Sequence, residues 1–128
     1  MLRSVMRALV VIAALISGGV SLLAHHSFAA QYDRAKPHTI SGTVTKMEWQ
    51  NPHIYFYVHV KEADGSEADW AVEGQAPNGL YRQGWRRDTL KAGDLVTVDG
   101  WLARDGSKLL NMGAVKMADG RQIFRGGQ

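Results

Sequence analysis

"TISGTVTKMEWQNPHIYFYVHV", Thr39 to Val60, is the stretch on which the fold class turns. Its first half, Thr39 to Trp49, is rich in β-branched residues, which suit a pleated and half-buried surface. Gly42 interrupts it where a long strand can bend sharply. Asn51 and Pro52 then break the pattern, as turn-forming residues do. From His53 onward the chain alternates: His53, Tyr55, Tyr57 and His59 share one face, while Ile54, Phe56, Val58 and Val60 share the other. Two strands joined by a turn are expected, with the aliphatic face of the second pointing inward.

Asp64-Gly65 follows as a hairpin signal and leads to a third strand within "SEADWAVEG", so strands two and three are expected to be neighbours. In "APNGLYRQGWRRDTL", Pro77 and Asn78 can open a short helix, and Leu80, Tyr81 and Trp85 recur at roughly helical spacing. A fourth strand is read from Asp94 to Ala103, a turn at Asp105-Gly106, a fifth strand from Leu109 to Met117, and a turn at Asp119-Gly120 into a short tail strand. Three strands, a helix and two strands, with a glycine bend in the first, give the element order of a mainly β domain. The expected form is a small OB-like five-stranded Greek-key barrel with one short helix between strands 3 and 4. Another small β-barrel or sandwich is the alternative. The hairpins are too short for the crossovers of a parallel α/β sheet.

Upstream, Arg3 and Arg7 precede the apolar run "ALVVIAALISGGVSLLA". A basic start before an apolar run is the pattern of a secretory signal peptide, assigned to residues 1–24. The alternative, a lasting membrane anchor, is disfavoured because a span needs ~20 residues and Gly18 and Gly19 weaken a helix. Two cleavage sites compete: after Ala24, where Leu22 is an imperfect minus-three residue, and after Ala29, which lies beyond the apolar run. Cleavage after Ala24 is favoured. The expected mature chain is an extended arm over 25–38, carrying Pro37 and no clear period, followed by the β domain over 39–125. An exported protein in the periplasm, with no stable membrane anchor once the signal is removed, is the expectation for a Gram-negative source.

Charge and cysteine content narrow the partners. The chain has 15 Lys and Arg against 12 Asp and Glu, a formal +3. Arg3 and Arg7 depart with the signal, leaving 13 basic residues against 12 acidic ones. Such a balance gives no support to a nucleic-acid or anionic-lipid partner. The absence of cysteine rules out disulfides, thiolate metal sites and cysteine nucleophiles.

The chemistry on offer is mainly imidazole, and all five histidines lie between residues 25 and 59. Processing after Ala24 makes His25 the first residue, so its α-amine and imidazole can chelate one ion, a nitrogen-rich arrangement that suits Cu(II). The amine's ordinary pKa near ~7.7 lets a metal displace its proton at neutral pH. His26 is adjacent, and His53, in the turn between strands one and two, is the candidate for a preorganised third ligand. His38 lies just before strand one and can approach the arm. His59 lies ~20 Å from His53 along the second strand, so one compact site cannot use both. The expected metal residues are therefore His25, His26 and His53, with copper preferred and zinc the fallback. The plain alternative is that His25 and His26 only make a soluble terminus.

A rival function needs no metal. Trp49, Asn51, Tyr55 and Tyr57, with the adjoining loops, are candidate contacts for a glycan, small molecule or protein partner. The structural alternative makes Asn51-Pro52 a tight turn, packs Trp49 over the domain's end and packs Tyr55 and Tyr57 beneath the arm or helix. Arg86 and Arg87 can bind a carboxylate or phosphate, or be a solvated face. Ser27, Ser41, Ser66 and Ser107 lack the context of a nucleophile, and no glycine-rich phosphate loop follows a strand. Glu48 and Glu73 make an acid-base pair only if the fold unites them. No catalytic residues are assigned, and an enzyme is not expected.

"AHHSFAAQYD", "GTVTKMEWQNPHIYFYV", "APNGLYRQGW", "LKAGDLVTVDGWLARDGS" and a final "DGR" together resemble a family of small exported bacterial domains of unassigned function. The resemblance covers nearly the whole mature chain, and its AHHSF and NPH blocks are its most specific parts. Members show His-His-Ser-Phe directly after the signal, which implies cleavage after Ala24, although Leu22 departs from the usual small residue. The resemblance implies export and the domain limits; it carries no activity.

Overall fold

A computed structural model describes residues 28–126. Residues 28–31 are helical and belong to a unit separate from the one that begins at Tyr32. Residues 1–27, which include the segment expected to be a signal peptide and His25 and His26, lie outside the described residues.

From Tyr32 onward the chain is mainly β. The strands are β1 (Tyr32–Glu48), β2 (Tyr55–Lys61), β3 (Glu67–Glu73), β4 (Leu95–Ala103), β5 (Leu109–Met117) and β6 (Gln122–Arg125), with one helix, α1 (Pro77–Arg82), between β3 and β4. They form a single sheet ordered β3-β2-β1-β4-β5-β6, and a further pairing of β3 with β5 closes a ring. The pairings are antiparallel except β3 with β5, where Ala71 to Glu73 run parallel to Leu109 to Asn111. Closure removes most exposed sheet edges, which otherwise invite pairing with other chains.

Gly42 is the point at which β1 serves both neighbours, because it stands opposite Val60 of β2 and Val96 of β4. A Cβ there would lie 2.1 Å from the His59 carbonyl oxygen, so only glycine admits the approach. Past it, an irregularity between Val44 and Lys46 shifts the register with β2. There Val44 bonds the turn before β4 instead, donating to Asp94 O at 2.8 Å and accepting from Gly93 N at 2.8 Å.

The first strand starts at Tyr32, seven residues before the sequence pattern places it. Residues expected in the extended arm before the first strand pair with β4, Tyr32 opposite Ala103 and Pro37 opposite Trp101. Pro37 is tolerated because β2 pairs only from Gly42 onward, leaving that side of β1 an edge where a missing N–H breaks no ladder. The expected tail strand joins the sheet as a sixth member, β6. Phe124 anchors it, 3% exposed, with its ring edge-on to Trp85 at 6.2 Å. The Trp85 indole also donates to Ile123 O at 2.8 Å.

The alternation in β2 holds: Ile54, Phe56, Val58 and Val60 are buried. They meet Val44, Val72, Val98, Leu110 and Val115 from the other strands, with Leu80, Trp85 and Leu90 from the α1 region, in one core. Burying an aliphatic or aromatic side chain of this size is worth roughly 1.5–3 kcal/mol. Pro77 begins α1, where its missing N–H costs nothing.

Candidate functional site

The site grows from the end of the β2–β3 ladder. Tyr55 stands opposite Glu73, and the pairing continues past both strands: Gly74 N donates to Ile54 O at 2.9 Å and Ile54 N to Gln75 O at 3.1 Å. Gly74 is needed there, since a Cβ would lie 2.6 Å from Ile54 Cγ1. Fixing Ile54 fixes its predecessor His53, two residues from Tyr55 and so on the same outward face. Glu73, facing outward by alternation, therefore has His53 and Tyr55 as cross-strand neighbours.

Glu73 is nevertheless buried, with its side chain only 7% exposed. An ionised carboxylate removed from water costs several kcal/mol unless hydrogen bonds offset the loss. Here both oxygens are engaged. Tyr32 donates its hydroxyl to one, and His53 Nδ1 donates to the other. Tyr32, 2% exposed, arrives from the start of β1, which Arg104 also ties down by pairing with Asp33 at 3.5 Å.

Burial, then the hydrogen bond to Glu73 and its charge, push the Tyr32 phenol far above its ordinary range. Burial followed by the same carboxylate raises Tyr55. Both tyrosines are thus neutral hydroxyl donors at physiological pH. With Nδ1 engaged by Glu73, Nε2 is the ring nitrogen of His53 that this contact leaves for another partner, and the side chain is 47% exposed. A carboxylate that holds one ring nitrogen while the other faces outward is how proteins orient metal-ligating histidines.

The other candidate residues are placed apart from this cluster. Asn51 and Pro52 form the expected bend, exposed and joined by a cis peptide bond. Trp49 packs against the core, and its carbonyl accepts from Arg87 Nη1 at 3.4 Å. Tyr57 donates to Glu48 at 3.1 Å and has Lys46 Nζ 5.7 Å from its ring. Glu48 and Glu73 flank Tyr55 in register, two strand spacings or roughly 10 Å apart, so the fold does not make them a hydrogen-bonded pair.

The remaining described histidines are engaged elsewhere. His38 stacks on Trp70 at 5.1 Å, and His59 bonds Asp69 at 2.8 Å with Glu67 at 3.7 Å. Among the described residues no group of three or more histidine, aspartate or glutamate side chains is placed to hold a metal ion. No helix among them is long and apolar enough to cross a membrane.

Tyr32 escaped the sequence reading because nothing local marks it; only the register of β1 on β4 brings it to Glu73. Glu73 closes the strand "EADWAVE" on its solvent-facing phase, so alternation gave no sign of its burial.

Fold and site together define a small, mainly β domain that presents a carboxylate-held imidazole where its second strand begins and its third ends. The chain belongs to DUF6152, a family of unknown function, whose model matches residues 13–111. That match runs from within the apolar run through the HHSF and NPH blocks and β1 to the start of β5. No curated protein matches the chain.

Proposed function

We propose that this is an exported periplasmic binding protein, an OB-like Greek-key barrel, that holds a copper ion through the terminal amine and imidazole of His25, with His26 and His53. Zinc is the fallback ion. The ring order β1-β2-β3-β5-β4 and the helix between β3 and β4 support the OB-like reading, with β6 as an addition.

The observation that carries the metal reading is the Glu73–His53 contact, which engages the imidazole by Nδ1 and leaves Nε2 to meet an ion. A second observation bears on the arm. Tyr32 is bonded to the same carboxylate and stands only seven residues after His25, a chain length of at most ~25 Å. The same Glu73 thereby holds His53 and tethers the chain that leads back to the terminal histidines. Nitrogen-rich ligation favours Cu(II) among the divalent ions.

The test is a competition titration of Cu(II) against protein beginning at His25 and against the same protein with one extra residue before it. Tighter binding by the first is expected, since the extension moves the amine away from the imidazole. Equal binding would overturn the chelate.

A further inference from the structure

Past Glu48, the chain after β1 also borders a concavity of different chemistry. A cleft of 470 Å³ is lined by Trp49, Tyr81, Arg86, Arg87 and Asp88. Tyr81 is 58% exposed, although it lies on α1, whose Pro77 and Leu80 are buried. Arg86 stacks its guanidinium on the Tyr81 ring at 3.9 Å. Its Nη1 donates to Trp85 O at 2.7 Å and to Tyr81 O at 3.2 Å. Arg87 Nη1 donates to Trp49 O at 3.4 Å.

These arginines are exposed, yet held in place by backbone contacts. Each is fixed at one nitrogen by a backbone carbonyl, while a guanidinium has five donors in a rigid fork that matches a carboxylate. Side chains already held lose less freedom when an anion arrives. Asp88 offsets one of the two positive charges, so the lining carries a net charge that a single carboxylate balances. Trp49 and the exposed Tyr81 supply flat apolar surface beside the guanidinium forks.

We propose that this cleft binds an aromatic monocarboxylate, with its ring against Tyr81 and Trp49 and its carboxylate on Arg86 and Arg87. The site does not depend on the metal, and its test is run with chelator present, so that the two readings fail separately.

The experiment titrates the protein with 4-hydroxybenzoate, and in parallel with neutral 4-hydroxybenzamide, following backbone amide shifts by NMR. Saturable shifts at Trp49, Tyr81, Arg86 and Arg87 are expected, with the carboxylate at least about tenfold tighter than the amide, as charge-assisted hydrogen bonds imply. Arg87→Gln should abolish the difference between the probes. That variant leaves Arg86 anchored and should keep the dispersed spectrum of the native fold. Lys91→Gln, nearby in sequence but outside the lining, should change nothing. Absence of saturation, equal binding of the amide, or full binding by a folded Arg87→Gln protein would each overturn the proposal.

Discussion

The hydroxyl of Tyr32 and the carboxylate of Glu73, 41 positions apart, meet in a buried hydrogen bond. One carboxylate thereby joins the start of β1, the end of β3 and, through His53, the turn between β1 and β2. Tyr32→Phe keeps the ring but leaves a buried acceptor short of its donor. It should destabilise the fold by about 1–3 kcal/mol. Urea unfolding measures this, and an unchanged midpoint would show that water replaces the hydroxyl at no cost.

Glu73→Gln separates orientation from packing. Glutamine nearly matches the shape of glutamate but cannot offer a charged acceptor to both Tyr32 and His53. Cu(II) affinity should fall by roughly 10–100-fold, the usual cost of losing a ligand's supporting carboxylate. A competition titration reads the affinity, and a dispersed NMR spectrum shows that the fold persists. Undiminished affinity would mean that His53 is oriented by something else.

The sequence patterns predict β2, β5, the short helix and all three Asp-Gly turns, because each is local: alternation and turn chemistry act over a few residues. The bend at Gly42 was legible for the same reason, and the 2.1 Å approach to His59 O explains it. Residues 32–38 were not legible as strand, because Pro37 reads as a breaker unless the unpaired side of β1 is known. Glu73 and Tyr32 depend on register and ring closure, which no local pattern carries. His53 was visible from its place in the NPH turn, whereas its carboxylate partner was not.

Gly42→Ala tests the shared strand directly. The added methyl meets backbone, which cannot rotate away, so β1 must separate from β2 or β4. A loss of about 1–3 kcal/mol or more is expected, in the range of overpacked cores. Thermal unfolding measures it; a native melting temperature would contradict the dual pairing at this residue.

His59 provides a pH test remote from the proposed metal site. Its hydrogen bond to the Asp69 carboxylate raises its pKa above the ordinary 6.5, against the opposing effect of desolvation. A folded value above the unfolded one means that the folded state holds the proton more tightly. The stabilisation is fully present below about pH 6.5 and disappears as pH rises through the folded pKa. Asp69→Asn should lower the His59 titration midpoint followed by its ring proton in NMR. A midpoint that stays put would mean the contact is absent in solution.

The central claim is that His53 is one nitrogen of a copper site completed by the chain's processed start. Pulsed EPR on the one-to-one Cu(II) complex of protein beginning at His25 tests it most directly. The remote-nitrogen modulation of coordinated imidazole should lose the contribution of one ring in His53→Ala. A spectrum identical in the two proteins would contradict the account, because the ion would then be held without the residue that Glu73 orients.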